Sequence, residues 1–166
     1  MKHAARRLSA LYERESDSLW LYARSILRCD ALAWDCLHAA LTTLLDRSAL
    51  PADEAALRGY LYRSVRNQAL NLLRGRRREA ARIETLRARA PLFANRTGVE
   101  PDDAARLDAA LDELPPEQRE VVVLKIWSSM SFQEIGAATD ASPNTAASRY
   151  RYGIARLRAR LEGPDA

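Results

Sequence analysis

Three features of the sequence predict an all-α protein made of two small helical domains joined by a linker. Apolar residues recur at helical spacing through most of the chain, alternating strand-type runs are nearly absent, and the apolar pattern lapses in one stretch that mixes charge with helix breakers. A length of 166 residues allows one ordinary domain or two small ones, so this internal pattern decides between them.

In the first segment Leu19, Tyr22, Ala23, Ile26 and Leu27 repeat at helical spacing. In the second, Trp34, Leu37, Ala40, Leu41, Leu44 and Leu45 form one stripe, with Asp35, His38 and Thr42 beside or opposite it. Asp46 to Glu54 contains Pro51 and reads as a loop. Leu57, Tyr60, Leu61, Val65, Ala69, Leu72 and Leu73 then form a third stripe. Three such helices bury their stripes only against one another, which makes residues 8–78 a compact helical domain.

From Arg74 the pattern decays into Gly75, Arg76, Arg77 and Arg78, then passes Pro91, Asn95, Thr97, Gly98 and Pro101, so residues 79–104 read as the linker. The halves it joins are expected to move independently, unless the opposite charges at its two ends clasp them together. Leu107, Leu111 and Leu114 restart the helical stripe, Pro115 and Pro116 interrupt it, and Val121 to Trp127 resume it, so a second domain spans residues 105–162.

Within that domain, residues 131–161 carry the punctuation of a helix-turn-helix. Ser131 and Glu134 have capping-box spacing, and a short helix runs from there through Ile135 to Thr139. Asp140, Ala141 and Ser142 make a connection of the usual length, with Ser142 as N-cap and Pro143 in the first helical position. On the second helix Ala146, Tyr150, Gly153, Ile154, Leu157 and Leu161 share the packing face. Asn144, Ser148 and Arg151 lie opposite, Thr145 and Tyr152 beside them, and Arg149 at the flank. Small polar groups and an arginine near the N-terminal end of an exposed helix suit the base edges of a DNA major groove.

Charge is distributed unevenly. From Arg58 to Arg89 ten arginines oppose only Glu79 and Glu84, whereas from Glu100 to Glu120 eight acidic residues oppose only Arg106 and Arg119. A basic half of this kind gains by displacing counterions from phosphates. Arg58, Arg63, Arg66, Asn67, Asn71 and Arg74 decorate the polar side of the third helix, which also carries Tyr60 and Tyr62. Guanidinium groups interleaved with rings fit melted or single-stranded DNA.

The longest apolar runs are too short to cross a bilayer, no h-region follows the basic start, and a cytoplasmic protein without membrane insertion is expected. Cys29 and Cys36, seven apart, are expected on one helix face as buried free thiols; a metal site joining them to His38 would lack a fourth ligand. The sequence has no glycine-rich phosphate loop and no zinc-ligand cluster, and its histidines are His3 and His38 alone. No catalytic residue, metal, cofactor or small-molecule substrate is therefore expected.

The block Ala33-Trp34-Asp35-Cys36-Leu37-His38 with Leu41, then Tyr60 to Asn67, then Leu114-Pro115-Pro116-Glu117 and Ser131 to Tyr152, resembles in order the extracytoplasmic-function branch of the sigma-70 family. The resemblance implies a first domain that docks on the RNA polymerase clamp and reads the melted minus-ten element, and a second that reads the minus-thirty-five element as duplex. It implies a polymerase contact at Asp35, with His38 and Leu41 on the same helix, a melted-strand residue at Asn67, and a recognition block at Thr145, Ser148 and Arg149. His38-Ala39 stands where the family usually has Gln-Glu, Leu41 where it has Phe, Tyr60 where Trp is usual and Ala147 where a basic residue is common. Core RNA polymerase and promoter DNA are the implied partners. With no further domain after Ala166, control by a separate anti-sigma protein is expected. A stand-alone helix-turn-helix regulator is the alternative, and it leaves residues 8–78 without a role.

Overall fold

The computed structural model describes residues 2–47, 49–80 and 101–162, and among these it contains seven α-helices and no strand. α1 (Lys2–Leu27) ends where Arg28 turns left-handed at φ 57° and its N–H bonds the Arg24 carbonyl at 2.8 Å. α2 (Asp30–Leu45) follows at once from an extended Cys29, and α3 (Glu54–Ala80) begins where an Asp53 carboxylate oxygen accepts the Ala56 N–H at 2.8 Å. These three helices pack on one another, as their stripes require.

α2 differs from expectation in its rotation. Ala33, Cys36, Leu37, Ala40 and Leu44 are its buried residues, whereas Trp34 is 38% and Leu45 45% exposed. The small side chains of Ala33, Cys36 and Ala40 form the seam between α1 and α3. A stripe weighted by bulk alone is turned toward Trp34, whose ring lies outside against Trp20 (centroids 6.2 Å apart) and His38 (6.3 Å). The expected pairing of the cysteines on one helix face is also corrected, because Cys29 precedes α2 and is half-buried. Cys36 is fully buried, its thiol donates to the Val65 carbonyl at 3.3 Å, and burial pushes its pKa up to about 12. Both thiols are free.

α4 (Pro101–Asp112), α5 (Pro116–Ile126), α6 (Phe132–Thr139) and α7 (Pro143–Glu162) build the other half. Pro116 occupies the first turn of α5, where its missing N–H is harmless. α5 supplies the fully buried run Val121, Val122, Val123 and Leu124. α7 crosses it closely at Gly153, where a Cβ would fall 2.8 Å from a Val122 methyl carbon. Residues 81–100, most of the expected linker, lie outside the described residues; its ends, Glu79–Ala80 and Pro101–Ala104, belong to α3 and α4.

The halves are not independent in this structure. α3 packs along α6, α1 packs on α5, and the buried side chains of both halves form one contiguous cluster. Gly59 of α3 lies so near α6 that a Cβ there would stand 3.7 Å from that of Ala137. The halves expected to move freely are packed together here, and the ion pairs across the junction join Arg58, Arg63 and Arg66 to Glu134, Asp140 and Glu120, not the charges at the two ends of the linker.

Candidate nucleic-acid interface

The helix-turn-helix is fixed by reciprocal caps. The Ser131 hydroxyl oxygen accepts the Glu134 N–H at 3.2 Å, while the Glu134 carboxylate accepts the Ser131 N–H at 2.8 Å. Asp140 ends α6 in the left-handed region at φ 55°, the Ala141 N–H bonds the Gly136 carbonyl at 3.0 Å, and a Cβ on Gly136 would sit 2.6 Å from the Ala141 carbonyl oxygen. α7 then starts from Ser142, whose hydroxyl oxygen accepts the Thr145 N–H at 3.0 Å. On α7, Ala146, Gly153 and Leu157 are buried, Tyr150 packs against Phe132, and Ile154 and Leu161 lie against the core.

Of the residues assigned to duplex DNA, Asn144, Thr145, Arg151 and Tyr152 are exposed, while Ser148 and Arg149 are half-buried. The Arg151 guanidinium lies 5.3 Å from the centre of the Tyr152 ring, so cation and ring present one amphipathic patch. Burial raises the pKa of Glu120, and the positive charge of Arg149 offsets a small part of that rise.

The residues assigned to melted DNA on α3 divide into two groups. Asn67 and Asn71 are exposed and line a groove of about 320 Å³ between α2 and α3, together with Arg47, Tyr60 and Arg63. Arg47 lies over the Tyr60 ring, 5.4 Å from its centre. Arg66 instead faces the other half: its Nε donates to both Glu120 carboxylate oxygens, at 3.0 and 3.2 Å. Arg63 lines the groove but pairs with Asp140 at 2.5 Å, and the exposed Arg74 lines a separate cleft of about 400 Å³ with Leu70, Leu73 and Pro116. Tyr62, expected with Tyr60 to offer a ring to melted DNA, is corrected: it is fully buried and donates to Glu15 at 2.9 Å, and burial with the nearby Glu15 raises its pKa. Three residues before Val65 and seven before Ala69, Tyr62 shares the buried face of α3 with them.

Asp35 and His38 project from the exposed side of α2, and Leu41 is half-buried beneath them. Sequence reasoning missed the contacts that join the halves. Arg58 Nη1 donates to Glu134 at 3.2 Å and its Nη2 to Glu15 at 2.9 Å and to the Ser128 carbonyl. Arg28 pairs with Asp108 at 3.6 Å and with Asp112. Of the contacts across the junction, Arg66 with Glu120 joins the basic run to the acidic run, whereas Arg28 and Glu134 lie outside those runs and gave no such signal. Among the described residues no cluster of side chains could hold a metal ion, and no helix is long and apolar enough to cross a membrane.

Residues 11–79 match Sigma-70 region 2 and residues 104–157 match Sigma-70 region 4. An RNA polymerase sigma-E factor of Streptomyces avermitilis is 33% identical over 149 residues, which cover 90% of this chain and 82% of that one. Among solved structures, the sigma factor RpoE in complex with the anti-sigma factor NepR, from Bartonella quintana, superposes with a TM-score of 0.69 at 22% identity, over 99% of this chain and 97% of that one. CnrH in complex with the cytosolic domain of CnrY superposes with a TM-score of 0.64 at 25% identity, over 99% and 96%.

Proposed function

The chain belongs to the extracytoplasmic-function branch of the sigma-70 family, and from that premise we propose how its two halves divide the work. It is an RNA polymerase sigma factor that directs transcription initiation, with core polymerase and promoter DNA as its partners. Residues 105–162 read the upstream element as duplex through the α7 face made by Asn144, Thr145, Ser148, Arg149, Arg151 and Tyr152. Residues 8–78 take the melted downstream strand on α3, with Asn67 and Asn71 in the groove and Arg63, Arg66 and Arg74 as phosphate partners. Asp35 and His38 meet the polymerase while Leu41 supports α2 from below.

The protein guides a reaction that polymerase catalyses and has none of its own, and it acts in the cytoplasm, where polymerase meets the chromosome. A separate anti-sigma protein holds it in check, as the anti-sigma factor NepR is found in complex with the sigma factor RpoE. One observation carries the proposal: a doubly capped helix-turn-helix presents a polar, exposed α7 face in the same chain as a basic α3 groove.

Transcription with purified core polymerase and a library of upstream DNA fragments is the test. Transcripts starting downstream of a shared pair of elements are expected only when the chain is added. Tight binding to duplex alone, with no promoter-specific transcript, would instead identify a stand-alone regulator.

A further inference from the structure

The rotation that places the small side chains of α2 in the seam leaves a ridge of larger ones outside. Trp34, His38, Leu41 and Leu45 follow one another at spacings of four, three and four. They therefore lie within about 60° of one another around the helix and span roughly 16 Å along it. Trp34 and Leu45, at the two ends, are 38% and 45% exposed, His38 is exposed between them, and Leu41 is half-buried. We infer that this ridge anchors the chain on core RNA polymerase, with the Trp34 ring seated in an apolar pocket of the polymerase and Asp35, at the rim, meeting a cation there.

The ring is already positioned for such a contact. Its centroid lies 6.2 Å from that of Trp20, which belongs to the core, and 6.3 Å from that of His38, with which it stacks at 29°. A ring braced on two sides loses little freedom when a partner covers it, and tryptophan is prominent among the side chains that dominate interface energies. Adjoining apolar groups left in water inside a polar rim mark a surface that another molecule covers. Core polymerase is that molecule, because the ridge is continuous with Asp35 and His38, and a partner covering those residues also covers Trp34. Charge agrees with this. α2 carries Asp30 and Asp35 but neither lysine nor arginine, and the exposed Asp46 follows its last turn, in a chain whose net charge is +4. An acidic rim repels the phosphates of promoter DNA and suits a basic protein surface.

This role for Trp34 rests on the assignment of α2 to polymerase, and parallel variants separate the two. The full chain carrying Trp34→Gln, Trp34→Phe, Leu45→Gln or Asp35→Arg is titrated against purified core polymerase, in competition with the labelled unmodified chain, at low and at high salt. Trp34→Gln should weaken binding about thirtyfold and Leu45→Gln on the order of threefold, while Trp34→Phe keeps most of the affinity. The Trp34→Gln loss should be the same at both salt concentrations, because burial of apolar surface is not screened. The Asp35→Arg loss should shrink as salt rises. Thermal unfolding of Leu45→Gln should match that of the unmodified chain, since the side chain is nearly half exposed, so its loss of affinity is separable from any effect on the fold.

Unchanged affinity in both Trp34→Gln and Leu45→Gln, beside a loss in Asp35→Arg, would overturn the anchoring ridge while leaving α2 as the docking helix. Unchanged affinity in every variant would remove the assignment of α2 as well. Absence of binding by the unmodified chain would count against the sigma function itself. A second copy of the chain is the competing occupant, and light scattering reads it. A dimer of the unmodified chain that Trp34→Gln converts to monomer, with polymerase affinity intact, would assign the ridge to self-association and overturn the inference.

Discussion

Glu134 serves two structures with one carboxylate. It accepts the Ser131 N–H and hydroxyl, both at 2.8 Å, and takes Arg58 from α3 at 3.2 Å. Burial pushes its pKa up, but the Ser131 hydrogen bonds and the Arg58 charge outweigh burial and hold it below its ordinary value of 4.5. A depressed carboxyl contributes stability that is present above its ordinary value and lost as pH falls through the lowered one. Glu134→Gln should therefore flatten the loss of thermal stability that sets in as pH falls below the ordinary value of 4.5. Glu120 acts in the opposite sense: burial outweighs Arg66 and raises its pKa, so its contribution declines as pH rises. Comparing Glu134→Gln with the unmodified chain isolates the first effect. Ser131→Ala should lower stability by about 1 kcal/mol in denaturant titration. On α7, Arg151→Ala should weaken binding to the preferred upstream element by about 1 to 3 kcal/mol and relax its sequence preference. Arg149→Ala should weaken all duplexes alike and reduce the salt slope by about one. Selection from a randomised upstream element distinguishes the two outcomes.

Among the elements, α2 and α7 show what an amphipathic pattern encodes and what it omits. The α7 packing face was legible because Ala146, Gly153 and Leu157 recur at helical spacing and no large apolar side chain competes with them, apart from rings with polar tips. On α2 the expected stripe included Trp34 and Leu45, whereas the face that packs keeps Leu37, Ala40 and Leu44 and adds the small Ala33 and Cys36. Asp35 is exposed on its outer side, so Asp35→Arg should leave stability within about 0.5 kcal/mol of the unmodified chain while weakening competition for core polymerase. At the α5 and α7 crossing, Gly153→Ala brings a methyl group to 2.8 Å from Val122. Such overpacking should destabilise the chain by about 1 to 3 kcal/mol, read by chemical denaturation.

For the whole molecule, the shared core has a thermodynamic consequence. Trp127 of the C-terminal half offers its carbonyl to the Ser18 hydroxyl of α1 at 3.1 Å, and the buried residues of both halves are continuous. Calorimetry of the unmodified chain should show one cooperative transition, because neither half unfolds without exposing apolar surface on the other. Ala137→Arg, by parting α3 from α6, should divide that transition into two. A single unchanged transition in the variant would show that the junction contributes nothing to cooperativity.

The sequence by itself determined the all-α class, the helix-turn-helix with its caps, the packing face of α7 and the family, because each depends on residues close together or on motifs in fixed order. Local rules act through backbone geometry within a few residues, so Ser131, Glu134, Ser142 and Pro143 declared their roles directly. Only the tertiary structure decided that Tyr62 is buried, that Trp34 stays outside, and that Arg58, Arg63 and Arg66 meet carboxylates up to 77 residues away at Asp140. Those outcomes depend on which helices come into contact and at what rotation. An arginine on a polar helix face has the same local pattern whether its partner is a phosphate, water or another part of the chain.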